Sequence, residues 1–241
     1  MPDTKLFIGP CLIETDNTQW CENAQKTIGS FFDVLYQSYR QPANRHYTYE
    51  LLQHLSERNE AHLVYGNGYN GKGNTVEGMM EILADVHTLI ARGIQMAVPI
   101  DLPLFISGFA EDGMSDMLVN ILYKELSEFT IQQCQKYDIA TDKIDPTRYF
   151  LDMNMCSWQP YSGNCLKVEG KIILLIPKNI VRKGYYYNTS QYFNSVILSR
   201  IQKEKTIYLN GKELSPRKKD IYSEKCKSYG SVIGAAKART L

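Results

Sequence analysis

Asp101-Leu-Pro-Leu-Phe-Ile-Ser-Gly-Phe-Ala-Glu-Asp-Gly-Met-Ser-Asp-Met-Leu-Val-Asn-Ile-Leu-Tyr-Lys-Glu-Leu-Ser-Glu128 joins an apolar run, an acidic turn and a helical stripe in the middle of the chain. Leu102 to Phe109 is an apolar run of strand length, and Ala110 to Gly113 is a tight acidic turn. Met117, Leu118, Ile121, Leu122, Leu126 and Phe129 then recur at helical spacing, which predicts strand, turn and helix in succession. Ser115 stands just before the periodic residues, where a hydroxyl accepts a bond from an unpaired amide of the first helical turn. Glu111, Asp112 and Asp116 surround that cap at a strand end. Carboxylates in such a cluster suit a hard divalent cation, Mg²⁺ or Mn²⁺, which takes oxygen ligands and offsets their mutual repulsion. The helix dipole alone also favours acids at this position, so both readings stand.

Outward from this stretch, helical stripes extend in both directions. Ile28, Phe31, Phe32, Leu35, Tyr36 and Tyr39 form one, from Asn23 to about Tyr39, and Thr48 to Leu55 is a second, shorter helix. Lys5 to Ile13, broken by Gly9-Pro10, reads as an edge strand. His46 and His54 read as surface or satisfied histidines. Lys171-Ile-Ile-Leu-Leu-Ile-Pro177 is the strongest strand signal. Its unbroken aliphatic run suits a strand buried on both faces, and hence a sheet covered by helices. Beyond it, Asn210-Gly211 is a hairpin turn, and Ser215-Pro216 opens a last basic helix.

The 241 residues can bury a substantial core without a staple. The net charge is +1, yet residues 1–177 hold 13 Lys/Arg against 22 Asp/Glu (net −9), whereas 178–241 hold 14 against 4 (net +10). A basic end of this kind docks on phosphates or on an acidic protein surface. Six cysteines without a Cys-x-x-Cys pair, and no recognisable signal segment, predict reduced thiols in a cytoplasmic protein. No apolar run approaches the roughly 20 residues that span a bilayer. The expected architecture is α/β, with a mixed central sheet flanked by helices. It comprises a core domain over 1–184 and a basic helical C-terminal extension over 185–241, packed on the core.

Gly66 to Lys72 satisfies Gly-x-x-x-x-Gly-Lys, followed by Gly73 where a phosphate-binding loop carries Ser or Thr. A lid loop, an anion-binding loop and a nucleotide sensor over Gly66 to Thr75 are the readings it allows. Glu60 lies just before this loop and is a further carboxylate for the metal shell with Asp112 and Asp116. Lys178 emerges from the aliphatic strand, where a lysine stabilises developing phosphate charge in metal-dependent phosphodiesterases. Arg182, Lys183 and Tyr186, within a Tyr185-Tyr186-Tyr187 cluster, pair cations with rings on which bases stack.

Three patterns together resemble a group of uncharacterised bacterial proteins associated with phage-defence gene neighbourhoods. They are Asn59-Glu60-x-His62-Leu63, Asp112-x-x-Ser115-Asp116-Met117 and Leu174-Leu175-Ile176-Pro177-Lys178-x-Ile180-Val181-Arg182. The resemblance implies a role in host defence. The order of acids and lysine is also similar to the PD-(D/E)xK nucleases, by which Glu60, Asp116 and Lys178 would be catalytic; Ile176 stands where that pattern has an acid. The leading expectation is therefore a Mg²⁺-dependent nuclease or nuclease-like effector that holds nucleic acid on its basic C-terminal region. The alternative is a non-catalytic adaptor in a multiprotein complex or homo-oligomer.

Overall fold

The computed structural model describes residues 6–55, 59–61, 63, 75–91, 111–143, 148–183, 198–209 and 212–221. Two compact units divide the chain, Met1–Tyr185 and Tyr186–Leu241. The expected α/β fold is the one adopted, a mixture of helix and strand with small sheets flanked by helices. No helix among the described residues is long and apolar enough to cross a membrane.

The first unit begins with β1 (Phe7–Ile8) and α1 (Pro10–Thr15). The predicted edge strand is thus cut short, because Pro10 occupies the first helical turn, where a missing amide costs nothing. Helix α2 (Gln19–Arg40) starts four residues earlier than its apolar stripe, since Thr18 accepts a bond from the Cys21 amide. It buries Ile28, Phe31 and Leu35. Helix α3 (Arg45–Leu52) follows. Helix α4 (Val76–Ala91) opens where Thr75 Oγ1 accepts the Gly78 amide at 3.0 Å.

The 101–128 stretch supplies α5 (Glu111–Ile121) and opens α6 (Tyr123–Lys136), which meet at Leu122. Residues 101–110, including the expected strand, lie outside the described residues. The helix begins at Glu111, so Ser115 is an interior residue and not the cap. Met114, Ser115, Met117, Leu118, Val119, Asn120 and Ile121 are all buried. A helix enclosed on so many sides is a core element. Ser115 Oγ accepts the amide of Ile8, a buried residue of β1, at 3.1 Å.

The described strands pair antiparallel. Besides β1 they are β2 (Asp142–Lys143), β3 (Tyr149–Asp152), β4 (Ser157–Pro160), β5 (Asn164–Val168), β6 (Lys171–Ile173) and β7 (Val181–Arg182). They form sheets β1-β7, β2-β5-β6 and β3-β4. The aliphatic run predicted to be a strand buried on both faces is a correction. Only its first three residues pair, as the return strand of a hairpin whose turn places Glu169 and Gly170 at positive φ. Leu174 then donates to Glu60 O, and Leu175 donates to Thr130 Oγ1, both at 2.9 Å. These two amides therefore find partners outside any ladder.

The second unit contains α7 (Leu198–Glu204) and the strands β8 (Ile207–Leu209) and β9 (Lys212–Leu214). Leu209 pairs with Lys212, the register of a hairpin joined through Asn210-Gly211, which are themselves outside the described residues. Leu198 and Ile221 form a small core with Ile201, reinforced by Gln202 Nε2 donating to Pro216 O at 2.7 Å.

Two outcomes follow from this packing. Ser115→Ala leaves the buried Ile8 amide without an acceptor and is expected to cost about 1–3 kcal/mol in urea unfolding. Glu125 of α6 accepts from Thr27 Oγ1 at 2.5 Å. Burial holds its carboxyl above the ordinary value, and the Thr27 bond opposes that shift. The folded state thus binds this proton more tightly than the unfolded chain. The contribution is complete below the unfolded pKa and is lost as pH rises through the folded one. Glu125→Gln is therefore expected to gain stability relative to wild type between pH 4 and pH 7, measured by paired thermal melts.

Candidate functional site

Glu60 lies in a 3-10 turn, Asn59–Ala61, tied by its carbonyl to the Leu174 amide. Its side chain is only 11 % exposed, and Oε1 forms an ion pair with Arg148 Nε. The contact lacks the alignment of a hydrogen bond at Nε, and Oε2 is buried without a hydrogen-bond donor. Arg148 is in turn fixed by its carbonyl, which accepts the Tyr161 amide at 2.7 Å at the open end of the β3-β4 hairpin. A carboxylate taken out of water has to be compensated, and here a guanidinium supplies the charge. A cation at Glu60 would have to displace Arg148.

None of the other predicted site residues that are described shares an element with Glu60. Asp116 is half-buried on α5, and its carbonyl accepts from Asn120 Nδ2 at 2.8 Å. Asp112 belongs to the same helix, but its side chain is outside the described residues. Lys178 is exposed in a 3-10 turn, Lys178–Ile180, whose other end buries Ile180. Next to it, Asn179 Nδ2 donates to Asp16 Oδ2 at 2.8 Å and, with the Thr18 amide, holds that exposed carboxyl below its usual range. Arg182 is half-buried in β7 opposite Phe7, and Lys183 is exposed. Tyr186 and the Gly66 to Asn74 loop are outside the described residues. Among the described residues, no three of His, Cys, Asp and Glu stand together as a metal-binding group.

Two further features carry no functional expectation from the sequence. A cavity of about 410 Å³ opens between α3 and the β3-β4 hairpin. Tyr47, Glu50, Leu51 and His54 line it from the helix side at i, i+3, i+4 and i+7, with Tyr149 and Trp158 across from them. Tyr47 OH donates to Cys156 O, and Trp158 Nε1 donates to Leu51 O at 2.9 Å. Burial raises the Tyr47 phenol above its ordinary pKa. His54 stacks on Tyr149 at 4.5 Å, with Trp158 tilted 5.2 Å away. The helical spacing was visible, but rings at that spacing read by default as core. His46, beside the cavity, is exposed and pairs with Glu50 at 3.3 Å.

The second feature is the β8-β9 hairpin. Ile207 and Leu209 project from one face, and the register sets Leu214 opposite Ile207 on that face. They are 58 %, 58 % and 48 % exposed, and Tyr208 on the reverse face is 74 % exposed. Lys203, Lys205, Arg217, Lys218 and Lys219 of the same unit are exposed as well.

A family model, described as a domain of unknown function, DUF8370, matches residues 1–188. The chain belongs to the DUF8370 family. No curated protein and no solved structure matches it. The matched residues end close to the boundary of the first compact unit, so Glu60, Arg148 and the aromatic cavity belong to the DUF8370 domain, whereas the β8-β9 hairpin lies beyond it.

The ion pair makes a direct prediction. Arg148→Leu is expected to lower the unfolding free energy by about 2 kcal/mol, less than the ~3–5 kcal/mol of fully buried pairs, because the guanidinium is 36 % exposed. Adding Glu60→Gln removes the stranded charge and restores most of the loss, as a double-mutant cycle in urea would record.

Proposed function

We propose that this DUF8370 chain is a non-catalytic interaction subunit that grips a protein partner through its basic C-terminal unit. The observation that carries the reading is the aliphatic face of Ile207, Leu209 and Leu214 on an exposed two-stranded hairpin. Two strands alone are marginal in water, and covering three such side chains is worth kilocalories. The unit from Tyr186 onward carries 11 Lys/Arg against 4 Asp/Glu. Its complement is an apolar patch rimmed by acids; a second copy of the hairpin would meet like charge instead. The pairing of Glu60 with Arg148 further supports an adaptor, since it commits one carboxylate of the nuclease-like pattern to an internal partner. A multiprotein host-defence assembly is the setting that the sequence resemblance implies.

Paired measurements test this. Cross-linking in the native host, with and without Ile207→Lys/Leu209→Lys, should recover a stoichiometric partner only for wild type. Binding of that purified partner should weaken at least about tenfold, or about 1.4 kcal/mol, with the melting of the DUF8370 domain unchanged. In parallel, Mg²⁺ and Mn²⁺ should leave the melting temperature unmoved; a true site at ~100 times its Kd would add about 2.7 kcal/mol. Metal-dependent cleavage of DNA or RNA that Asp116→Ala abolishes would overturn the adaptor and restore the nuclease.

A further inference from the structure

The cavity between α3 and the β3-β4 hairpin belongs to the first unit, and neither Glu60 nor Arg148 is among its described lining residues. Its described lining combines the rings of Tyr47, His54, Tyr149 and Trp158 with the carboxylate of Glu50. Among the described lining residues there is no lysine or arginine to compensate an anionic ligand. Ring faces attract cations through their quadrupoles, and the attraction strengthens when the cation is partly desolvated. Glu50 adds a formal negative charge at the rim, where its side chain remains half exposed. The walls are held in place independently of any ligand. Trp158 is anchored to the Leu51 carbonyl, Tyr47 to the Cys156 carbonyl, and Tyr149 by its stack with His54. Preorganised walls lose little entropy on binding, and about 410 Å³ is room for a small molecule.

We propose that this cavity binds a small organic cation, a substituted ammonium group seated against Tyr47, Tyr149 and Trp158 with Glu50 as its counter-charge. The site would give the DUF8370 domain a ligand of its own, separate from the partner gripped by the C-terminal unit.

The probes are choline and tetramethylammonium, with 3,3-dimethylbutan-1-ol as the neutral isostere of choline and adenosine as a flat, uncharged aromatic. Titrations of the full chain follow the indole N–H resonance of Trp158, whose hydrogen bond to Leu51 sits in the cavity wall. They are run at pH 8, above the ordinary imidazole pKa of about 6.5. The expected result is a saturable shift with both cations, at least about tenfold tighter than with the neutral alcohol. Glu50→Gln should weaken the cations about fivefold while leaving the alcohol unchanged, and its half-exposed position makes it a substitution the fold tolerates. Tyr149→Leu should weaken them further, with circular dichroism confirming the fold. Equal affinity for choline and its isostere, binding of adenosine without the cations, indifference to Glu50→Gln, or no shift with any probe would each overturn the proposal.

Discussion

The amide of Ile8 is buried against a helix and finds its acceptor in Ser115, 107 residues away. An unpaired amide at that depth would cost about 1–3 kcal/mol, so the short N-terminal strand and the central helix constrain one another. The neighbouring backbone is tied just as firmly, Leu6 to the Leu63 carbonyl and Gly9 to the Ile180 carbonyl. Thr130 repeats the device on the next helix. Its hydroxyl takes the Leu175 amide while donating to Leu126 O. Side-chain hydroxyls on α5 and α6 thus do for β1 and for the segment after β6 what another strand would do elsewhere. That is why the sheets are small and the core is centred on helices.

The helical part of this arrangement was legible. Met117, Leu118, Ile121, Leu122 and Leu126 recur at the right spacing, and all are buried. Ser115 was misplaced because a serine ahead of an apolar stripe gives the same local pattern whether it caps the helix or bonds to a distant strand. Lys171 to Pro177 was misread for a related reason. A continuous aliphatic run announces burial, but burial does not specify a ladder, and the partners of Leu174 and Leu175 come from Glu60 and Thr130, which lie far away in sequence. The Asn210-Gly211 dipeptide carried a stronger local signal, and β8-β9 pair as the hairpin it announces.

For function, residue type proved less informative than the partner. Glu60 before a glycine-rich loop fits a metal shell in sequence, whereas in the fold its carboxylate faces Arg148. Arg148 had no distinguishing context, standing after a polar connection rich in aspartate, and nothing local linked it to a glutamate 88 residues earlier. The cavity was hidden differently: Tyr47, Glu50 and His54 gave one helical stripe, but only the hairpin register brings Tyr149 and Trp158 onto one face opposite them.

The polarity of charge along the chain then acquires a structural meaning. The acidic majority of residues belongs to the DUF8370 domain, while the basic remainder carries an exposed apolar hairpin face. An exposed strand edge with aliphatic side chains invites indiscriminate pairing, and lysines around an edge are a common deterrent. Here the exposed cations of the same unit would repel a second copy and admit a surface of opposite sign. In the interaction reading proposed above, the aliphatic face would supply the attraction and the charge of the same unit the choice of partner, a division of labour that a uniformly charged or uniformly apolar hairpin could not achieve.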